Sequence, residues 1–570
     1  MYYDFQVKVP RQTLGITRKK IKGTTYIYYS YNHEYSSEKK YTVPKATTIG
    51  KLTSDDSDMM YPNANFLKYF PSADLPDEKA LGNRSACLRI GTYLVLRKII
   101  AEYGLEDILD SIIGKDSGLF LDIAAYTIVT ENNAGQYYPD YAYNHPLFTN
   151  DMRVYSDSKV SAFINGITQD QSIEFQNVWN DKRDHRETIY ISYDSTNKNC
   201  HAGDIDLVEF GHAKEDTGAP VINYSIAYDR NNAVPLYYED YPGSIVDISQ
   251  LQFMLEKAKG YGYRNVGFIL DRGYFSKENI HYMDKCGYDF IIMMKGMKDL
   301  VKELVGQVKG TFEESRQFSI RSYKVSGITV EKQLYPSDEK KRYFHIYYND
   351  GKKNGERENL ESKIDRMGEC LKKYEGTNYV VPRGNLTKYF DPIYFHKDKP
   401  DQKFMMARER TDVIDEEIRL CGYFVIITSK KMTAEEALDL YKSRDASEKL
   451  FKGDKSYLGN KSFRVQSNES VRAKIFIEFV ALIIRNRFYT CLKERIKELG
   501  RKPNYMTVPA AIKELEKIEM IRQSDGGYRL AYAVTATQKE ILKAFNMTAT
   551  NIREQAIGIN EDLRRCEGEN

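Results

Sequence analysis

The sequence predicts a mixed α/β protein: a mixed sheet flanked by helices, interrupted by a β-rich insertion and preceded by a β-hairpin unit and a helical region. Three observations carry this. From residue 187 to 294 the pattern runs three strands, helix, strand, helix, strand. Short strand signals then crowd residues 301–430. A helix with a strong N-terminal signal follows at Thr433. A hydrophobic content of 41% and a charged content of 29% suit a water-soluble globular chain. At 570 residues the chain exceeds one ordinary core, so several domains are expected. The net charge of +3 neither requires nor excludes a nucleic-acid partner, because a local patch matters more than the sum.

Residues 1–55 read as a basic β unit. Stretches 25–31 and 40–43 are strand-like, and the edges carry Arg18, Lys19, Lys20, Lys22, Lys45 and Lys51. Such a hairpin either lies along a DNA backbone or uses its lysines to keep edge strands from pairing. The 46 tyrosines leave a similar choice between base stacking and ordinary strand positions. Residues 56–185 are expected to be loop to about residue 80 and then a helical DNA-binding region. An amphipathic helix spans 84–103, and a short pair at 157–166 and 170–179 has the form of a helix-turn-helix or of a plain helical pair.

From residue 187 the period changes to that of strands. The alternating run 188–193 ends at Asp194, and further strands are expected at 206–210 and 221–228. A helix is expected over 248–259. The apolar run 266–270 reads as a buried strand ending at Asp271. Ser276 caps a helix to residue 286, and 288–294 is another strand. This is the strand order of a ribonuclease-H-like core, with its first part at 186–300, a β-rich insertion domain at 301–430, its second part at 431–490 and a C-terminal helical region at 491–570.

The seven cysteines contain no C-x-x-C pair and read as free thiols in a reducing compartment. The histidines lack zinc spacing. No signal peptide is read at the N-terminus, and the most apolar helix, 475–484, is too short for a bilayer. A cytoplasmic protein is expected.

Thr433 and Glu436 form a capping box. Counting from Tyr441, Arg444 lies at +3, Glu448 at +7 and Lys455 at +14. At about 100° per residue these fall at roughly −60°, −20° and −40°, on one narrow stripe. A polar stripe is either a solvated face with i,i+4 ion pairs or a face that meets a partner. The spacing Tyr-(2)-Arg-(3)-Glu-(6)-Lys resembles the YREK signature of bacterial insertion-sequence transposases with a DDE active site. The similarity extends to Tyr193-Asp194-Ser195-Thr196, Gly211-His212-Ala213-Lys214 and Asp271-Arg272-Gly273-Tyr274, in that order. It covers about 187–300 and 420–490.

The resemblance implies that Asp194, Asp271 and Glu448 are catalytic and hold two Mg²⁺ ions, with Mn²⁺ able to substitute. It also implies that Tyr441, Arg444 and Lys455 lie near the DNA end, with Lys214 and Arg272 as further phosphate contacts. The partners would be double-stranded DNA, both transposon ends and target, and a second copy of the chain when two ends are paired; no membrane is implied. Water would nick DNA at a terminal inverted repeat, and the freed 3′-hydroxyl would attack the opposite strand or target DNA. Tyr335 and Tyr343 are candidates to hold a flipped base. A domesticated DNA-binding protein that keeps the fold without the activity is the alternative. A glycosidase with paired carboxylates would not require the Arg and Lys beside Glu448.

Overall fold

The computed structural model describes residues 2–568 except 4, 12–14, 22, 37–39, 55–56, 74, 76–83, 184–188, 203–204, 212, 214–217, 246, 296, 397–398, 446–457, 459–461, 464 and 466; for 247, 248, 462, 463, 567 and 568 only the backbone is described.

The N-terminal strands β1 (Val7–Lys8), β2 (Ile16–Ile21), β3 (Thr24–Ser36), β4 (Tyr41–Leu52) and β5 (Met59–Pro62) form a sheet in the order β1-β5-β4-β3-β2. The expected hairpin is β3–β4. Where a loop was expected, β5 is followed by a short helix, α1 (Ala64–Tyr69), whose first turn is capped by the Asn63 side chain. Val7, Ile27, Ile49 and Met60 of the sheet pack with Phe66 of this helix in a small core of their own.

A helical region follows: β6 (Cys87–Arg89), α2 (Gly91–Tyr103), α3 (Leu105–Ile113), α4 (Ser117–Thr130), α5 (Tyr138–Asn144), α6 (Asp157–Gly166) and α7 (Gln169–Asp181). The first long helix begins at Gly91, not near residue 84, because 87–89 pair with a strand more than 400 residues later, Glu519–Arg522. The expected pair at 157–166 and 170–179 is present as α6 and α7. The exposed positions of α7 are Gln169, Asp170, Ile173, Glu174, Asn177 and Asp181, an acidic face that phosphates would repel.

The central sheet is built from β7 (Ile189–Cys200), β8 (Val221–Asp229), β9 (Val234–Pro242), β10 (Val266–Leu270) and β11 (Asp289–Met293), with α8 (Asp247–Gly260) before β10 and α9 (Lys277–Cys286) before β11. Their order is β9-β8-β7-β10-β11. The β7–β8–β9 part is antiparallel, and β7, β10 and β11 run parallel. Two expected strands differ. Among the described residues, the stretch 206–210 pairs with the sheet through an isolated bridge from Glu209 to Val221 rather than as a strand. The third strand is instead 234–242, whose Pro235, Glu239, Asp240 and Pro242 hide its period. The first strand does not end at Asp194 but runs to Cys200, because residues 194–199 continue to pair with 221–226 of β8.

The segment after α10 (Lys298–Val308) divides. Strands β12 (Ser319–Ile320), β13 (Val325–Gln333) and β14 (Lys341–Tyr348) come first. Then follow α11 (Asp350–Lys372), α12 (Asn385–Tyr389), the hairpin β15 (Phe390–Phe395) and β16 (Lys403–Glu409), α13 (Thr411–Leu420) and β17 (Tyr423–Thr428). β17 lies antiparallel to β11, and β14, β13 and β12 follow outward. These strands therefore extend the central sheet, which reaches ten strands among the described residues. Among the described residues, only the middle of the segment has its own core, from Ile364, Leu371, Val381, Tyr389, Phe390, Phe404 and Ile414.

Helix α14 (Ala434–Lys442) packs on the sheet. A 32-residue helix, Asn468–Leu499, is buried along most of its length and packs on the helical region, with Phe476 against Phe120 and Phe175. Three more helices and the hairpin Glu519–Arg522/Tyr528–Leu530 complete the chain. Among the described residues, no helix is long and apolar enough to cross a membrane. All seven cysteines are free thiols.

Candidate active site

The site begins with the alternation of two parallel strands. Leu270 of β10 is in register with Tyr193 of β7, so Asp271 and Asp194 each come one residue further along neighbouring strands. Side chains on a strand alternate between faces. Ile191, Tyr193, Phe268 and Leu270 enter the main core. Tyr190 and Ile269 point to the opposite face, into the cluster made with Ala437, Leu438 and Tyr441 of α14. Asp194 and Asp271 share the parity of Tyr190 and Ile269, so both carboxylates belong to the face that α14 covers. Gly267, in register with Tyr190, has no side chain because a Cβ there would lie 2.4 Å from the Tyr190 ring.

Asp271 ends β10 in an extended conformation (φ −72°, ψ 159°) and leads into a 3-10 turn, Arg272–Tyr274. That turn buries Tyr274 against Tyr193, with ring centroids 5.0 Å apart, which fixes the chain on either side of the carboxylate. Arg272 is exposed at the start of the turn. Asp194 is half-buried, and its Oδ1 accepts the backbone N–H of Ser195 at 2.9 Å.

Helix α14 starts where its capping box predicts. Thr433 Oγ1 accepts the Glu436 N–H at 3.2 Å, and the Glu436 carboxylate accepts the Thr433 N–H at 2.8 Å. Its apolar stripe, Ala434, Ala437, Leu438 and Tyr441, seats it on the sheet. This directs the C-terminal turn toward the end of β10. The Tyr441 hydroxyl donates to Asp271 Oδ1 at 3.4 Å, and Arg444 Nη1 lies 3.8 Å from the same oxygen. The Arg444 guanidinium also sits 5.7 Å from the Tyr441 ring centroid. Its side chain is only 15% exposed, so it is a shielded charge and acts on Asp271 more strongly than a solvated one would.

Of the site residues expected from sequence, Asp271, Tyr441 and Arg444 are thus in contact, with Asp194 on the adjacent strand and Arg272 beside Asp271. Glu448, Lys455, Lys214 and His212 lie outside the described residues. Tyr343 belongs to the extended sheet opposite Thr428. Tyr335 packs near His281 and Lys277.

Sequence reading missed Lys198. Four residues past Asp194 and on the same face of β7, it is fully buried, 2.5 Å from Glu478 of the long helix and 4.9 Å from the Tyr224 ring centroid. Its stretch, Ser195-Thr-Asn-Lys-Asn199, has the composition of a turn, and nothing local marks it as buried strand.

Residues 191–484, just over half of the chain, match the family model described as the Transposase DDE domain. The protein therefore belongs to that family and is a DDE transposase. No curated protein matches this chain. Among solved structures, a piggyBac transposase synaptic complex with hairpin DNA is similar at 7% identity and a TM-score of 0.34, over 71% of this chain and 68% of that one. The Mos1 transposase paired-end complex with the left transposon end is similar at 12% identity and a TM-score of 0.14, over 42% and 68%. At those scores the structural likeness is loose, and the family match carries the assignment.

Proposed function

We propose that this transposase cuts double-stranded DNA at terminal inverted repeats and joins the freed 3′-hydroxyl to target DNA by a cut-and-paste route. The proposed catalytic carboxylates are Asp194, Asp271 and Glu448, in a ribonuclease-H-like core formed by 186–300 and 431–490, with the sheet extended by β12–β14 and β17 and the separately cored middle of 301–430 inserted between them. The observation that carries the reading is the register of β7 and β10, which brings two aspartates to one face under the helix that bears Tyr441, with Arg444 in the turn just past its end. Glu448 follows Tyr441 by seven residues.

An all-carboxylate donor set of this kind fits hard divalent cations such as Mg²⁺ or Mn²⁺, held in this reading as two ions by the three carboxylates. When bound, such ions supply charge neutralisation at the phosphate and a more acidic water. The protein's own contribution is positional. Tyr441 and Arg444 hold the Asp271 carboxylate from one side. Arg444, Lys455, Lys214 and Arg272 are the proposed contacts to phosphates flanking the cut. Because two ends must be held together, a homodimer on DNA is part of the proposal, and the free thiols suit action in the cytoplasm.

The test compares end binding with cleavage. Asp194→Asn, Asp271→Asn and Glu448→Gln keep shape and remove one negative charge each. They should bind end DNA at least as well as the parent, because a like charge is removed. Their nicking of labelled end DNA in Mg²⁺ should fall by at least about 10²-fold, since several kcal/mol of charge stabilisation are lost. Glu436→Gln, in the cap of the same helix, should stay active. Near-normal cleavage by Glu448→Gln would remove the triad. A parent protein that binds ends but never nicks them would favour the reading as a DNA-binding protein without transposition activity.

A further inference from the structure

The two faces of the N-terminal sheet differ. One is packed under α1, as described. The other carries a row set by strand register: Lys19 of β2 opposite Tyr26 of β3, Tyr26 opposite Lys51 of β4, and Lys51 opposite Tyr61 of β5. Gln6 extends the row, its amide donating to the Tyr61 hydroxyl at 3.2 Å. At about 4.8 Å between strands, Lys19 and Lys51 stand roughly 10 Å apart. Tyr2 lies above the row, 6.1 Å from Tyr26 by ring centroids. The Lys51 ammonium is 5.5 Å from the ring centroids of both Tyr2 and Tyr61, and that of Lys19 is 5.0 Å from Tyr28. Lys8, opposite Met59, stands on the same face at its flank.

Among the described residues the row holds no carboxylate. Nearby Asp58 is taken by Arg11 and Arg18, and Glu34 by Lys45. Alternation splits the basic run of β2. Lys19 faces outward, while Arg18 shares the side of Ile27 and lies 3.4 Å from Asp58. Lys8, Lys19 and Lys51 have no carboxylate partner among the described residues.

We infer that this open face holds the phosphate backbone of duplex DNA without regard to base sequence. The inference rests on the DNA-cutting reading but concerns a different surface. Ammonium groups lying over the tyrosine rings cover the faces that bases would need for stacking, and they point their own N–H donors outward together with the phenol hydroxyls. Those are phosphate-binding groups. Reading bases in the groove calls for Arg, Lys, Asn or Gln side chains reaching into it from a projecting element, whereas Lys19 and Lys51 lie folded over tyrosine rings on a sheet face. The row offers one Gln, already engaged with Tyr61. The face accordingly suits DNA of any sequence, target or flank, rather than the terminal repeat.

The experiment uses the full chain with Lys8→Gln, Lys19→Gln and Lys51→Gln combined, and measures binding by fluorescence anisotropy across salt concentrations. The probes are a duplex with the terminal repeat, a scrambled duplex and a single strand. The slope of log K against log salt should flatten by about 2–3 on both duplexes alike, at about 0.9 per lost phosphate contact. Lys51→Gln alone should give about a third of that change, which keeps the test informative if the triple variant folds poorly. Loss confined to the repeat duplex, an unchanged slope, or a larger loss on the single strand would each overturn the inference. Repeating the series in the Asp271→Asn background separates the two readings. A slope change that persists there upholds this surface whether or not the protein cuts, and one that vanishes overturns it.

Discussion

His345 lies inside the extended sheet with no exposed surface. Thr428 Oγ1 donates to the Lys430 carbonyl at 2.7 Å, so at 3.0 Å it accepts from His345 Nε2–H, and Nδ1 accepts from the Thr329 hydroxyl at 2.9 Å. This arrangement suits the neutral ring, and burial pushes the His345 pKa down from 6.5 to about 4. Between those values the unfolded chain takes up a proton that the folded chain does not. Stability should therefore be complete above pH 6.5 and fall as pH drops toward 4, by up to about 3 kcal/mol. His345→Gln should flatten that part of the pH profile of urea unfolding, and an unchanged profile would show that another group sets it. At this scale the sequence was partly legible. Tyr441, Arg444 and Asp271 could be linked because each lies in a short motif, but the single helical stripe expected from Tyr441 onward is not what joins them: α14 ends at Lys442, and Arg444 reaches Asp271 from the turn beyond it. The burial of Lys198 and His345 could not be read, because it depends on elements distant in sequence.

Among the elements, β7 is the axis of the central sheet. It pairs with β10 on one side and β8 on the other, and its far end is tied to the long helix by Lys198 and Glu478. Removing one partner of a buried ion pair leaves an uncompensated charge and costs about 3–5 kcal/mol, whereas replacing both with apolar residues is often near neutral. Glu478→Leu alone should lower the midpoint of urea unfolding strongly, and Lys198→Met together with Glu478→Leu should recover most of the loss. Additive losses would mean that the two residues act separately. Elements with a clean period, such as 266–270 and the helix capped by Ser276, were legible to within a residue. β9 was not, because its prolines and acidic residues obscure the alternation. The continuation of β7 was hidden by polar residues that read as a turn but are held in the sheet by β8.

At the scale of the whole molecule, the helical region and the C-terminal segment form one body. Strand 87–89 pairs with 519–521, the Tyr528 hydroxyl donates to the Ser85 carbonyl at 2.6 Å, and the Leu515 carbonyl lies 2.2 Å from where a Cβ on Gly91 would sit. Truncation after residue 500 should therefore uncover the apolar faces of α2 and of the long helix. The expected outcome is insoluble protein, or rapid limited proteolysis within 85–181 while the N-terminal sheet, with its separate core, survives. A soluble, protease-resistant truncated protein would show that the C-terminal segment is dispensable. Sequence period identified both regions as helical, but their mutual packing joins residues too far apart for any local pattern to reveal.

The pairing of 87–89 with 519–521 also sets a clock on biosynthesis. Once Arg89 has been made, the ribosome must add about 430 more residues before its partner Glu519 exists. At ~5–20 residues per second this takes roughly 20–90 s. Throughout that interval the nascent helical region lacks the strand that completes it, while the N-terminal sheet already has every strand it needs. A chain terminated within that interval would carry a finished N-terminal sheet beside a helical region that still lacks its closing strand.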